Sequence, residues 1–121
     1  MDSNVSVATI TVPKWSLGQC IEAWARIGIP AMGLTRYQLE DYTVKKAKKH
    51  LRDAGIKVSG MHGAGGPYID GPPHFEENID RTLRALDLAA EVDAGSALLV
   101  PGSRGNRTWD EAAKAFIGGM H

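Results

Sequence analysis

The feature that most constrains the fold is a regular alternation of short apolar runs with longer segments of helical period. Three times along the chain a helical segment ends and a new apolar run begins at a glycine: Gly28, Gly55 and Gly95. Glycine readily adopts the left-handed conformation that ends many helices, so each junction predicts a return from helix to strand. Apolar strands separated by amphipathic helices indicate a parallel sheet with right-handed crossovers. We therefore predict four βα units in series.

The predicted strands are Val5–Val12, Ala31–Leu34, Ile56–Met61 and Ala97–Val100. Helices with apolar residues at three-and-four spacing are predicted over residues 17–27, 44–54, 75–92 and 109–120. The helix starts carry two predicted capping boxes and one predicted cap: Ser16 with Gln19, Thr108 with Glu111, and Thr43. On the third helix, we expect the apolar stripe to face inward: Ile79, Leu83, Leu86 and Ala90.

The length of 121 residues predicts one domain over 1–121 with one core. Two α/β architectures satisfy the series of four βα units. One is half of a TIM (β/α)8 barrel, whose first and fourth strands would be edges. The other is a flavodoxin-like four-stranded doubly wound sheet, complete in itself.

Composition excludes several function classes. Lys and Arg number 14 and Asp and Glu number 14, so nothing global predicts a nucleic-acid partner. Cys20 is the only cysteine, which excludes an intrachain disulfide and indicates a reducing compartment. The chain shows neither a signal peptide nor an apolar run long enough to span a membrane. We expect a cytoplasmic protein with no membrane partner.

Ligands of both architectures bind at the carboxyl ends of the parallel strands. There the chain offers four short segments: Pro13–Trp15, Thr35–Tyr37, His62–Gly63 and Pro101–Arg104. His62 is the best catalytic candidate, because a histidine at this edge can act as a metal ligand, an acid/base group or a substrate hydrogen-bonding group. The alternative is a polar strand-end residue bonded to loop backbone.

The strand ends offer other ligand-binding side chains but no carboxylate. Arg36 and Tyr37 fit a polyol or phosphate, and Arg104 follows a turn that precedes a helix N-terminus, where anions are favoured. Metal-assisted isomerisation or hydrolysis needs hard oxygen ligands and a carboxylate base. The sequence therefore predicts that a complete carboxylate-based site cannot be assembled from these strands alone. A separate basic run is expected to be the solvated face of the second helix: Lys45, Lys46, Lys48, Lys49, His50 and Arg52.

The residues of three segments resemble the N-terminal half of sugar phosphate isomerase/epimerase proteins of the xylose isomerase-like TIM-barrel superfamily. The segments are Thr11–Ala23, Gly28–Leu34 and Asp53–Gly60. The resemblance implies an isomerase or epimerase with a divalent metal, Mn or Mg, held by two Glu, an Asp and a His on later strands that this sequence does not contain. It leaves to this chain the side that binds a sugar or sugar phosphate, at these positions: Trp15, Arg36, Tyr37, His62, Ser103 and Arg104.

Two further interpretations remain open. The superfamily includes endonuclease IV-type repair enzymes, to which His62 and the Pro101–Ser103 turn are similar, although Val100 stands where those enzymes have a histidine ligand. Alternatively, the chain is a non-catalytic half-barrel that self-associates, since two (β/α)4 halves could close one barrel by two-fold symmetry. A homo-oligomer is the partner expected on the half-barrel interpretation.

Overall fold

The computed structural model describes residues 4–63, 75–102 and 104–120. Its elements follow one another as β1 (Ser6–Ala8), a 3-10 helix (Thr9–Thr11), α1 (Leu17–Arg26), β2 (Ala31–Thr35), α2 (Arg36–Tyr42), α3 (Val44–Ala54), β3 (Lys57–His62), α4 (Phe75–Glu91), β4 (Ala97–Leu98) and α5 (Trp109–Met120).

The strands form one parallel sheet in the order β1-β2-β3-β4, so every strand lies beside its neighbour in sequence. That sequential order is the order of a (β/α) barrel, in which each crossover advances in the same direction. A flavodoxin-like sheet instead reverses direction after its first crossover, giving the order 2-1-3-4. The prediction of half a TIM barrel is confirmed, and the doubly wound alternative is wrong.

Helix α1 begins at the predicted capping box. The Gln19 backbone N–H donates to Ser16 Oγ at 3.3 Å, and the Ser16 N–H donates to Gln19 Oε1 at 2.9 Å. Four apolar residues that follow lie inside the core: Leu17, Cys20, Ile21 and Trp24. Burial there raises the pKa of the Cys20 thiol. The core continues through β2, α3 and β3, with these buried residues: Leu17, Cys20, Ile21, Trp24, Ile29, Met32, Leu34, Leu39, Ala47, Leu51, Ile56, Met61, Ala89 and Val92.

Helix α3 begins after Thr43, as predicted, but the Thr43 hydroxyl makes no capping hydrogen bond. Its backbone has φ 73° and ψ 140°, a conformation that a β-branched residue rarely adopts. The short α2 helix ends immediately before this residue, so Thr43 turns the chain from one helix into the next. Gly55 ends α3 in the left-handed conformation, with φ 67°, as predicted.

The predicted bounds of two strands are wrong. The first strand stops at Ala8 because Thr11 Oγ1 donates to the Ala8 carbonyl at 2.8 Å, and the Val12 N–H donates to the Thr9 carbonyl at 3.0 Å. Such local bonds compete with a strand ladder. The fourth strand comprises Ala97–Leu98 alone, and the sequence analysis missed α2, which is too short to show a helical period.

The predicted inward face of α4 is also wrong. Ile79, Leu83 and Leu86 are 37%, 55% and 41% exposed. The buried positions of α4 and the residue after it are small, polar or β-branched: Asn78, Thr82, Ala85, Ala89 and Val92. The larger apolar side chains therefore lie on the side of α4 that faces away from these buried residues. Ile27, the last residue of the first predicted helix, is likewise exposed.

No described helix combines the length and the apolar character needed to cross a membrane.

Candidate functional site

The carboxyl ends of β2 and β3 meet at Thr35 and His62, which are direct partners in the parallel ladder. Helix α2 starts with the next residue, Arg36, so its first turn stands over the same edge. A cavity of about 130 Å³ opens there, lined by Ile10, Thr35, Arg36, Tyr37, His62 and Gly63. We call this cavity the His62 cleft.

The imidazole of His62 lies over Gly33 of the neighbouring strand. A Cβ atom added to Gly33 would be 2.8 Å from His62 Nε2 and 3.1 Å from His62 Cδ2. Only a glycine therefore leaves room for the ring in this position. An isolated glycine within an apolar strand is a known signal of such close approach, so Gly33 could have indicated from the sequence that a side chain crosses β2 here.

A buried hydrogen-bond network holds the floor of the cleft. The Thr35 N–H donates to Thr9 Oγ1 at 3.1 Å, and Thr9 Oγ1 lies 3.3 Å from Thr35 Oγ1. Thr35 Oγ1 donates in turn to Gln38 Oε1, and Gln38 Nε2 donates to the Trp15 carbonyl at 2.8 Å. The chain of bonds ties the loop after β1 to the first turn of α2. The Thr9–Thr35 and Trp15–Gln38 bonds join residues 26 and 23 positions apart, so no local sequence pattern indicates the network.

The charged group of the cleft is a guanidinium. Arg36 Nη1 donates to Glu40 Oε1 at 2.9 Å, one helical turn along α2, in a partly exposed ion pair. The imidazole of His62 makes no hydrogen bond to another described residue, so its ring nitrogens are available to a ligand. Together with the Tyr37 hydroxyl, these groups can donate to and accept from the hydroxyl or phosphoryl oxygens of a small polar molecule.

Tyr37 also borders a second, larger cavity of about 300 Å³ between the loop after β1 and helix α2. This cavity is lined by Pro13, Lys14, Trp15, Ser16, Leu17, Tyr37, Gln38, Asp41 and Tyr42. The predicted site residue Trp15 lies here, with its ring edge-on to Trp24 at 6.3 Å between centroids. The structure thus brings Arg36, Tyr37 and His62 together and places Trp15 across the adjoining cavity.

The structure assigns Arg104 to other contacts. Its guanidinium lies 5.2 Å from the centroid of the Trp109 ring and donates to the Arg107 carbonyl. Arg104 lines neither of these two cavities among the described residues. Helix α5 begins at the predicted capping box, in which the Glu111 N–H donates to Thr108 Oγ1 at 3.2 Å. Ser103, the other predicted site residue of this loop, lies outside the described residues.

The described residues do not fit a divalent Mn or Mg ion. Within them, no group of three or more His, Cys, Asp and Glu side chains could hold a metal. The described side chains around His62 are an arginine, a tyrosine, a threonine and an isoleucine, whereas Mn and Mg prefer carboxylate oxygens. The described cleft can therefore bind and orient a polar molecule through hydrogen bonds, and we derive no metal-dependent step from it.

Comparison with known proteins places this geometry in context. Residues 21–121 match the protein family described as xylose isomerase-like TIM barrel. A protein of Sinorhizobium meliloti 1021, known from its crystal structure, matches 98% of the chain with a TM-score of 0.82 and 25% sequence identity. A xylose isomerase-like TIM barrel/4-hydroxyphenylpyruvate dioxygenase fusion protein matches 93% of the chain with a TM-score of 0.76 and 19% identity.

The chain spans only part of both structures, 45% of the first and 18% of the second. No curated protein is significantly similar to the chain in sequence. In both proteins, the segment that matches this chain is part of a longer chain.

Proposed function

The chain belongs to the xylose isomerase-like TIM barrel family, and from this membership we propose that it supplies the substrate-binding side of a sugar or sugar phosphate isomerase or epimerase. The observation that carries the proposal is the His62 cleft, in which the ends of β2 and β3 and the start of α2 present an imidazole, a guanidinium and a phenol. Family members bind ligands at this edge of the barrel as a consequence of the fold.

The three groups suit a polyol with a charged end. The guanidinium of Arg36 can bind a phosphoryl or carboxylate group, and the imidazole of His62 can bind a hydroxyl or carbonyl oxygen. The adjoining cavity at Tyr37 provides room for the remainder of the molecule, beside the indole of Trp15. On this proposal the chain orients the substrate, while the metal and the proton-transferring carboxylates come from outside the described residues.

A binding titration with a panel of ketoses and ketose phosphates tests the proposal. We expect one or more of them to bind saturably, and His62→Ala or Arg36→Ala to weaken binding about tenfold through the loss of a hydrogen bond, charge-assisted in the case of Arg36. Arg26→Ala, on the exposed last turn of α1, is the matched control and should leave the affinity unchanged. Absence of binding by every member of the panel would contradict the proposal.

Turnover assays with Mn²⁺ or Mg²⁺ separate binding from catalysis. We expect no epimerisation by the chain alone. Epimerisation that is lost in His62→Ala would show instead that the chain has a complete catalytic site.

A second candidate function, a half-barrel that self-associates, is favoured by the exposed apolar side chains near the open end of the sheet. Leu98 of β4 is 51% exposed and Val100 is 56% exposed, and on α4 Leu83 is 55% exposed. Apolar side chains exposed beside an unpaired strand favour contact with a second chain. Two copies could cover it by pairing β4 of each with β1 of the other.

Light scattering at micromolar concentration tests this candidate. A dimer is expected, and Leu98→Glu should shift it to a monomer by placing a charge on the covered face. Ile27→Glu makes a comparable change at an exposed isoleucine that follows α1, and should leave the dimer intact. A monodisperse monomer of the unmodified chain would rule out the self-associating half-barrel.

A further inference from the structure

Helix α3 concentrates positive charge in a chain whose formal charges cancel. Five of its eleven residues are lysine or arginine, one is a histidine, and Asp53 is its single acidic residue. The run is solvent-exposed as predicted, but its residues do not all face the same surroundings. Lys46, Lys49 and His50 border a cavity of about 260 Å³ together with Tyr42 and Asp53. We call it the α3 cleft, and it shares no lining residue with the His62 cleft.

The aromatic wall of the α3 cleft is fixed from two sides. Tyr42 Oη lies 2.9 Å from His50 Nδ1, a hydrogen bond between the end of α2 and the middle of α3. The ring of Tyr42 also packs so closely on α1 that a Cβ added to Gly18 would be 3.0 Å from it. The rings of Tyr42 and His50 are 6.1 Å apart between centroids. The position of the imidazole is therefore set before any ligand arrives.

This hydrogen bond determines what His50 offers to a ligand. If the tyrosine hydroxyl donates to Nδ1, the neutral imidazole carries its proton on Nε2; if Nδ1–H donates to the hydroxyl instead, Nε2 is an acceptor. An anion in the cleft favours the first arrangement, in which Nε2–H is a donor. Since Lys46 and His50 are one helical turn apart, as are Lys49 and Asp53, their side chains lie on the same flank of the helix.

One of the two lysines of the cleft, Lys49, already pairs with an acidic side chain. Lys49 Nζ lies 2.5 Å from Asp53 Oδ2, and this hydrogen bond lowers the pKa of the Asp53 carboxyl. Lys46 forms no ion pair with any described carboxylate. The cleft thus contains Lys49 with a carboxylate partner, Lys46 without a carboxylate partner, and the imidazole of His50. The two lysines outnumber the one carboxylate, so the cleft favours an anionic ligand.

We propose that the α3 cleft binds a phosphate dianion through Lys46, Lys49 and the Nε2–H of His50. A phosphoryl group has three or more acceptor oxygens directed tetrahedrally, which suits a cavity lined by three donor side chains of one helix, whereas a carboxylate has two oxygens in one plane. The α3 cleft shares no lining residue with the His62 cleft, so either proposal can fail without the other. Tyr42 also lines the cavity beside Tyr37, but it is not one of the proposed phosphate donors.

Calorimetric titration with inorganic phosphate at low ionic strength tests the proposal, with sodium chloride at equal ionic strength as the control for screening. We expect saturable binding of one phosphate, weakened about tenfold in Lys46→Ala through loss of a charge-assisted bond. Lys48→Ala removes the same charge from the same helix at a position that lines a different cavity, and should change the affinity by less than about twofold. Asp53→Asn should strengthen binding, because it removes a competing negative charge.

NMR provides a second test, because nonspecific attraction of phosphate to the positive helix would not shift the resonances of one particular histidine. The imidazole resonances of His50 should shift on addition of phosphate, and this shift should shrink in Lys46→Ala and persist in Lys48→Ala. The proposal is overturned if phosphate does not bind saturably, if Lys48→Ala weakens binding as much as Lys46→Ala, or if the His50 resonances do not move. Circular dichroism of each variant verifies that these exposed substitutions leave the fold intact.

Discussion

Helices α1 and α4 both follow a strand and both carry an apolar stripe, but they bury different kinds of side chain. Leu17 and Ile21 of α1 are at most 1% exposed, whereas Leu83 of α4 is 55% exposed. Helix α1 contacts α2 and α3 on its flanks, while the main described contacts of α4 are with α5 and β3. Where neighbours are present on both sides, an apolar stripe is buried; where they are fewer, the helix turns its small residues to the sheet and its larger ones outward.

We therefore expect the region from β1 to β3 to determine stability, and the later region to form contacts with a second chain. Among the described residues, the region from β1 to β3 holds nearly all of the core cluster, and the later part contributes Ala89 and Val92. Apolar burial is worth about 25 cal/mol per Å², so stability should depend mainly on the earlier region. The exposed apolar side chains of the later region are available for contact with another half-barrel.

The largest expected effect is the loss of stability from truncating the core. Ile21→Ala should lower the free energy of unfolding by about 2–5 kcal/mol, because it leaves a cavity in a fully buried site. Leu83→Ala should lower it by about 0.5 kcal/mol or less in dilute solution. Urea unfolding of both variants measures the contrast. Equal losses in the two variants at low protein concentration would contradict the assignment of the core to the first region.

The second prediction compares two glycines. Gly33→Ala should destabilise the chain by about 1–3 kcal/mol, because the new methyl group would overlap the His62 ring. Gly118→Ala in α5, where an added Cβ meets no atom within 4 Å, should instead stabilise it by up to about 1 kcal/mol through helix propensity.

A double-mutant cycle ties the first of these effects to His62. In the His62→Ala background, Gly33→Ala should lose most of its cost, giving a coupling energy of about 1 kcal/mol or more. Additive effects would mean that the imidazole does not lie over Gly33 in solution.

The third prediction concerns two residues with positive φ. Thr43 has φ 73° and ψ 140°, in a region where a β-branched side chain is strained, whereas Asp93 has φ 55°, in the left-handed region that aspartate tolerates. Thr43→Gly should therefore raise stability by about 1 kcal/mol and Asp93→Gly by a few tenths at most, because glycine relieves strain but also gains freedom in the unfolded chain. Thermal unfolding compares the two, and a larger gain in Asp93→Gly would contradict the strain at Thr43.

Much of the fold was predictable because its signals are local. The junctions at Gly28 and Gly55 and the two capping boxes each depend on residues within one turn, and the apolar runs marked all four strands. After α4 the left-handed residue is Asp93, whereas the sequence pattern predicted the junction at Gly95. The strand bounds and α2 were not predictable in this way. The side-chain bond of Thr11 to Ala8 ends β1 early, and α2 is too short for its period to appear.

The site was predicted in part for the same reason. Arg36, Tyr37 and His62 come together because parallel strands end at one edge, which the sequence pattern already implies. The Trp15 side chain instead packs against Trp24, and the Arg104 side chain lies over the ring of Trp109. The strand pattern does not predict these contacts. The rotation of α4 depends on which neighbours cover it, and no pattern within α4 itself encodes them.

The smallest expected effect compares the two capping boxes through pH. The box of α1 uses the neutral amide of Gln19, while that of α5 uses the Glu111 carboxylate, which accepts from the Thr108 N–H at 2.7 Å. This bond, with that of the Thr108 hydroxyl, lowers the pKa of Glu111 below its ordinary value of 4.5. The folded state therefore binds that proton less readily than the unfolded state, so the stabilisation is complete above pH 4.5 and is lost as the pH falls below it.

Glu111→Gln makes the second box resemble the first and should remove this pH dependence. We expect the unfolding temperature of the unmodified chain to exceed that of Glu111→Gln near pH 7, and the difference to shrink as the pH is lowered from 5 toward 3, measured by thermal unfolding at several pH values in this range. Gln19→Glu is the reciprocal variant and should introduce the same dependence at α1. If the difference in unfolding temperature stays constant from pH 7 to pH 3, the Glu111 carboxylate does not cap α5 in solution.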